Sequence, residues 1–568
     1  MMMDSSIFQH FSLLINKKKL KINQREMKSP SISSQGENQS GSENDNNNNN
    51  SDNNSNEWSL LQQDASAPST AGTSIKNANK ELVRLVTVAA ATAATLGYDV
   101  GIMAAAIQPI EAEMNLTGFQ KELAMGSLNF VAAAGALLGG AVADKRGRKP
   151  TLQLCCWLFV AGTLLMGLAP EYYTLLLGRI VTGIGVGVSF VVAPVFISEV
   201  APTHLRGQLN TVFDVAINGG ILLGYIIGYL VQITPLQDQH KWRLMLSLGI
   251  VLPIVVLGSI AALPESPRWL MLVHQEDAAG AVLRRLGSSE VETQQTIAAI
   301  SAELKLERRQ GSPTNHQKWT PGRRLAVALG FWQQATGTEA VLYYSADFLA
   351  RAGLESPTKR LLGNVFVGIC KLVPELVAMA YVDKIGRRPL MIGSAVALLT
   401  STAAISAAFK MEADPIWIVV LLCCVMASFS AGLGPFTFLL ASENLATSER
   451  AAGMTWCAAA NRCTSGAVAL STVSLYQAFG DSGFFAFYTA VGFASLVFYV
   501  NIVETNGLTL EELSAGRSGS TNMGVHDTQE EYHDFEIPNI QVDKMQDDAF
   551  TLAHITHRVP TIKAASIL

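Results

Sequence analysis

Two ionisable residues, Asp99 and Arg179, stand inside runs that are otherwise apolar. An ionised side chain at membrane depth costs about 2.5–3.5 kcal/mol on insertion scales, so each needs a partner or water. Counted at 1.5 Å per residue from the ends of their runs, Asp99 falls about 6 Å and Arg179 about 9 Å from the same outer surface. Those depths allow them to pair. A carboxylate beside a guanidinium stays ionised, and a proton arriving on it would release the arginine. Protonation and helix movement are then linked; the alternative is a static ion pair. Asp214, Glu339, Lys371 and Glu375 are further charges within apolar runs, and Gln333-Gln334 is an amide pair in another. Amides on an apolar helix are costly to bury unless a ligand or neighbour satisfies them.

Such residues need a membrane fold to hold them. Of 568 residues, 49% are hydrophobic and 15% charged, where a soluble protein carries about 25% charge. Mean hydropathy is +0.26. The net charge of −5 suggests no nucleic-acid partner. Seven cysteines, at 155, 156, 370, 423, 424, 457 and 463, lie in apolar runs with neither metal-ligand nor disulfide-framework spacing. No metal or other cofactor is expected. Twelve apolar segments run at 83–106, 123–143, 151–169, 173–197, 210–232, 243–263, 324–349, 361–382, 389–409, 416–441, 452–476 and 483–503. Each can cross about 30 Å of hydrocarbon as a helix. The expected organisation is a disordered polar tail (1–80), a six-helix half (81–263), a linker (264–323) with amphipathic stretches at 276–286 and 291–309, a second half (324–510) and a disordered acidic tail (511–568). An intramembrane enzyme is excluded: there is no HExxH or GxSxG, and no paired acids at catalytic spacing.

Basic loops at 144–149 and 383–388, with Arg268, Arg284, Arg285, Arg308 and Arg309 in the linker, place that side and both termini in the cytosol. The same two loops are an internal repeat. Ala143-Asp-Lys-Arg-Gly-Arg-Lys-Pro150 matches Val382-Asp-Lys-Ile-Gly-Arg-Arg-Pro389, and Ser198-Glu199 with Arg206 matches Ser442-Glu443 with Arg450. Two halves in the same orientation, with a site between them near the midplane, describe an alternating-access transporter. With no GxxxxGK[ST] phosphate loop, transport would draw on an ion gradient.

On Gly97-Tyr-Asp-Val-Gly101, the two DKxGR[KR] loops, Gly178-Arg-Ile180, Pro264-Glu-Ser-Pro-Arg-Trp-Leu270, Gln333-Gln334 with Gly337, and Tyr343-Tyr-Ser345, the chain resembles the sugar porter family of the major facilitator superfamily. Asn218-Gly-Gly220 with Gly224-Tyr225, Trp242-Arg-Leu-Met-Leu246 and Asn461-Arg462 are similar to its polyol/monosaccharide–proton symporters. The resemblance implies an all-α membrane protein of twelve transmembrane helices in two pseudo-symmetric halves with a cytosolic helical linker. It implies Asp99 as the proton site, with Arg179 its partner. Gln333, Gln334 and Asn461 would bond substrate hydroxyls, with Phe438 where the family has a substrate-facing Trp. Gly337 would loosen the seventh segment, and Tyr343 and Tyr344 would gate its outer end. Asp144, Arg148, Glu199, Arg206, Glu265 and Arg268 would face Asp383, Arg387, Arg388, Glu443 and Arg450 in an inner salt-bridge network closing the outward-facing state.

Departures from the family pattern put Asp214, Glu339 and Lys371 at positions usually occupied by Gln or Asn, and Arg462 beside Asn461 in place of Trp. Acid and base on neighbouring segments suggest a compensating pair, Glu339 with Lys371; Glu375, four residues after Lys371 on the same face, is the alternative partner. Asp214 has no evident partner and is the second candidate proton site. The expected function is import of a monosaccharide or linear polyol with a proton, by a monomer in the lipid bilayer. The plasma membrane is preferred over the vacuolar or plastid envelope. A uniporter and a non-transporting sugar sensor are the alternatives.

Overall fold

The computed structural model describes residues 70–201, 206–309, 319–445 and 450–502. The chain divides into two compact units, 1–75 and 76–568, and the architecture below is that of the second. Of the expected tails, only residues 70–80 fall among the described residues, where they are helical.

The described residues form helices and no strands. α1 (Thr70–Met114), α2 (Gly118–Arg146), α3 (Arg148–Gly167), α4 (Tyr172–Val200), α5 (Arg206–Gln232) and α6 (Asp238–Ala261, with a 3-10 turn at Leu248–Ile250) are the first six crossings. Three shorter helices follow: α7 (Pro267–Leu272), α8 (Glu276–Arg285) and α9 (Glu290–Arg309). The seventh crossing is two pieces, α10 (Pro321–Ala335) and α11 (Thr338–Arg351). α12 (Pro357–Ile385) and α13 (Arg387–Lys410) are the eighth and ninth. α14 (Pro415–Ser430) and α15 (Leu433–Glu443) share the tenth. α16 (Arg450–Val500) holds the last two, separated by Gly480 at φ 70°.

Ten described helical spans are long and apolar enough to cross a membrane. The broken seventh crossing and the division of α16 bring the total to twelve. Prolines at the first turns of α7, α10, α12 and α14 mark where helices begin, since Pro has no N–H to lose there. Thr117 opens α2 through a capping box with Gln120.

The sequence repeat is also a structural repeat. Gly147 between α2 and α3 and Gly386 between α12 and α13 adopt φ/ψ of 100°/163° and 97°/160°, a region open to glycine. At Gly147 a Cβ would also stand 2.3 Å from a Glu265 carboxylate oxygen. Glu265 accepts backbone N–H bonds from Arg148 (3.0 Å), Lys149 (3.1 Å) and Ser266 (2.8 Å). Burial raises its pKa above the ordinary glutamate value, against the lowering effect of those bonds.

The glycines of the Gly97-Tyr-Asp-Val-Gly101 motif allow backbone contact between α1 and α5. A Cβ on Gly97 would lie 1.9 Å from the Ile217 carbonyl oxygen, and one on Gly101 2.3 Å from that of Ile221. Small residues at such crossings replace the hydrophobic driving force that is missing between helices in lipid. This packing fixes Asp99 on a rigid element. α7, α8 and α9 form a separate small core around Leu270, Met271, Ala279, Val282 and Leu304.

Candidate functional site

Asp99 and Arg179 are brought together. Arg179, fully buried, donates from Nη1 to Asp99 Oδ2 at 2.5 Å, from Nε to the Ala124 carbonyl at 2.8 Å and from Nη2 to the Met125 carbonyl at 3.2 Å. The guanidinium thus ties α1, α2 and α4 together through one carboxylate and two backbone oxygens. Asp99 also lines a small cavity with Thr95, Tyr98, Phe159, Thr163 and Thr182, and the Thr182 hydroxyl has no hydrogen-bond partner among the described residues. A proton reaching that cavity would meet the only one of the three acceptors that can be neutralised.

Between the halves lies a chain of amides. Gln333 on α10 donates from Nε2 to the carbonyls of Leu433 (3.1 Å) and Gly434 (2.7 Å), at the break between α14 and α15. Its Oε1 accepts from Asn461 Nδ2 at 2.5 Å. Asn461 Oδ1 accepts from Arg462 Nε (2.9 Å) and Nη2 (2.6 Å). Arg462 Nη1 crosses to the first half and donates to Asn129 Oδ1 on α2 at 3.3 Å. Asn129 Nδ2 reaches back to Glu339 Oε1 at 3.5 Å, where Ser465 Oγ also donates at 2.7 Å. The Gln334 side-chain oxygen Oε1 and the Tyr343 hydroxyl are buried with no hydrogen-bond partner among the described residues, open acceptor and donor positions for a hydroxylated molecule. Phe438 packs edge-on to Phe190 across the halves (5.4 Å between centroids), and the Arg462 guanidinium lies 4.7 Å over Phe190.

The Glu339–Lys371 pair expected from sequence is not formed. Glu339 is held by Ser465 and Asn129, and Lys371 Nζ lies 4.9 Å over the Phe429 ring. Lys371–Glu375 is not closed either: Glu375 accepts a hydrogen bond from Asn218 of the first half. Asp214 is half-buried with no hydrogen bond or ion pair among the described residues, near enough to Glu375, Lys371 and Arg462 to feel their charge.

Gly337 begins α11 at φ 82°, and a Cβ there would stand 2.2 Å from Tyr488. Beyond this break Tyr343 and Tyr344 are fully buried, and Tyr344 donates to the Ala469 carbonyl at 3.0 Å. Tyr225 of α5 donates across the halves to the Leu342 carbonyl at 2.7 Å.

On the cytosolic side Thr211 on α5 donates across the halves to Met379 Sδ on α12 at 2.8 Å, and Arg285 of the linker pairs with Glu81 of the first half. Arg148 holds Glu199 in a two-pronged pair (both 3.0 Å) and Asp144 at 3.2 Å. Arg387 donates to Glu443 at 3.3 Å and Arg388 to the Val500 carbonyl at 2.6 Å. Arg268 reaches Glu303 at 3.1 Å, and Arg450 opens α16. The side chains of Arg206 and Asp383 lie outside the described residues.

Charged residues that sequence reasoning passed over join the halves at the other, outer end. Lys121 Nζ on α2 sits 2.7 Å from Asp347 Oδ2 on α11 and 2.6 Å from Glu111 Oε2 on α1. Gln108 Nε2 donates to Asp347 at 2.8 Å. Glu122 accepts from both the backbone N–H (2.7 Å) and the hydroxyl (2.9 Å) of Ser474 on α16. Only Asp347 stood within an apolar run as drawn; Glu111, Lys121 and Glu122 lie between the first two runs, where charge is ordinary.

A twelve-crossing helical bundle with a buried carboxylate–guanidinium pair in one half and a polar amide chain between the halves defines the class as a multi-pass membrane carrier. Residues 85–516 match the family model described as sugar (and other) transporter, and the chain belongs to that family. It is 35% identical over 431 residues to probable polyol transporter 4 of Arabidopsis thaliana, spanning 74% of this chain and 81% of that protein. It is 35% identical over 463 residues to polyol transporter 5 of the same plant, spanning 76% and 85%. The fold matches that of the xylose transporter XylE from E. coli in its partially occluded inward-open conformation. There the TM-score is 0.66 at 24% identity, over 76% of this chain and all of that one. These likenesses make it a transporter, not an enzyme.

Proposed function

We propose that this carrier imports a linear polyol or a monosaccharide together with a proton, by alternating access, as a monomer in the plasma membrane. The observation that carries the reading is the 2.5 Å Asp99–Arg179 pair beside a small polar-lined cavity. Neutralising Asp99 removes the one charged partner of a fully buried guanidinium and leaves it two backbone carbonyls. Protonation therefore changes what holds α1 against α2 and α4. Gln333, Gln334 and Asn461 are the substrate's hydrogen-bonding groups in this reading, with Phe438 as an apolar wall, and Asp214, Glu339 and Lys371 nearby. The substrate class is supported by the relatives named polyol transporters.

The two carbonyls on Arg179 also favour a second reading, in which the pair is static and the protein is a uniporter. Proteoliposomes offered a panel of polyols and monosaccharides, with and without an imposed pH gradient, separate the two. External alkalinisation and accumulation above equilibrium support symport. Flux that follows only the substrate gradient at every pH supports the uniporter.

A further inference from the structure

The amide chain between the halves has an unusual end. Arg462 is 93% buried, since 7% of it is exposed, yet it forms no ion pair among the described residues. Its charge is met by two neutral amide oxygens and an aromatic face: Asn461 Oδ1 twice, Asn129 Oδ1 once, and Phe190. The bonds around Asn461 are full. Its oxygen accepts two guanidinium N–H groups, and its nitrogen donates to Gln333 Oε1 at 2.5 Å and to the Gly330 carbonyl at 3.4 Å. Gln333 in turn spends its N–H groups on Leu433 and Gly434. A hydroxylated molecule can therefore bond the Asn461 oxygen only by displacing Arg462.

An alternating-access carrier must also return empty. Closing two halves around a vacant polar site buries amides that have lost their ligand, and an unsatisfied buried acceptor opposes closure. Arg462 meets that need with donors from within the chain, and its Nη1 bond to Asn129 joins the halves where a ligand would otherwise bridge them.

We propose that Arg462 is the empty carrier's stand-in for its substrate. Bound to Asn461 and Asn129, it satisfies the vacant site and lets the unloaded halves close and reorient; substrate displaces it. Arg462 and Asn129 are thus positioning residues for the unloaded step. This rests on the reading that the carrier moves polyols or monosaccharides.

The test compares two fluxes of radiolabelled sorbitol and glucose in proteoliposomes of the full chain, at equal pH on both sides. Net efflux into substrate-free buffer includes the empty return; counterflow with saturating substrate on both sides does not. Losing the charge-assisted bond to Asn129, the one of its three that joins the halves, should lower the ratio of net efflux to counterflow about tenfold in Arg462→Gln. Asn129→Ser, a gentler change in the opposite half, should move that ratio in the same direction, and Arg462→Lys should fall between. A fall in both fluxes by the same factor, with the ratio within twofold of wild type in both Arg462→Gln and Asn129→Ser, overturns the proposal. So does an unchanged ratio in Asn129→Ser if Arg462→Gln fails to fold. Wild-type protein that moves neither probe in either assay refutes the substrate reading, and this proposal falls with it.

Discussion

Asp347→Asn isolates the outer closure. Asp347 and Lys121 are both largely buried, come from opposite halves, and stand 2.7 Å apart. The amide keeps an oxygen for Gln108 but turns its NH2 group, a donor, to the Lys121 ammonium, which retains Glu111 at 2.6 Å. Lys121 is thus not stranded, and the loss is that of one hydrogen bond between charged groups, about 1.5–3 kcal/mol. That energy exists only while the outer ends are together. At 1.4 kcal/mol per decade, the ratio of outer-open to outer-closed carriers should rise roughly 10- to 100-fold. Spin labels at Phe119 and Phe479, exposed positions at the outer ends of α2 and of the first part of α16, report the separation by pulsed dipolar spectroscopy, with the exposed Cys424 and Cys463 replaced by Ser. Growth of the long-distance population in Asp347→Asn is expected. A distribution unchanged within twofold would show that the pair contributes equally to both states, and the reasoning fails.

Gly337→Ala forces a side chain into φ 82° and against the Tyr488 ring at 2.2 Å. The left-handed backbone costs roughly 1–2 kcal/mol and the overlap about 1–3 more. Thermal unfolding in detergent should show the destabilisation, and Tyr488→Leu should recover the steric share; no recovery would place the whole effect in the backbone. Exchanging Glu339 and Lys371 should not rescue either single reversal, because Glu339 is bonded to Ser465 and Asn129 and not to Lys371. Transport by the exchanged double variant well above both single variants would mean that the two meet in another state of the cycle.

Depth counting along apolar runs was enough to pair Asp99 with Arg179, since α1 and α4 are continuous through those residues. The repeat also read through to structure: Gly147 and Gly386, at equivalent places in the motif, share one backbone conformation. The Glu339–Lys371 expectation failed for a local reason. Acid and base on neighbouring segments say nothing of the direction in which each side chain points, and Thr336 and Gly337 separate α10 from α11 just before Glu339, which bonds Ser465 and Asn129 instead. The tenth segment, expected whole at 416–441, is interrupted in the same way at Ala431 and Gly432. Asn129 left no trace in the sequence because a neutral amide in an apolar run carries no signal until its cross-half partners are known. Lys121 fell just outside the second segment as drawn from 123, so its burial against Asp347 could not be read from composition.

Proton entry per substrate molecule, measured in proteoliposomes of wild type and Asp99→Asn side by side, bears most directly on the coupling. Asn preserves an acceptor for Arg179 while removing the proton-binding carboxylate. The expected result is a fixed proton-to-substrate ratio in wild type, and in the variant no coupled proton entry and no accumulation, with counterflow exchange continuing. Proton entry at the wild-type ratio in Asp99→Asn, or equal loss of exchange and accumulation, would contradict the assignment of Asp99 as the coupling site.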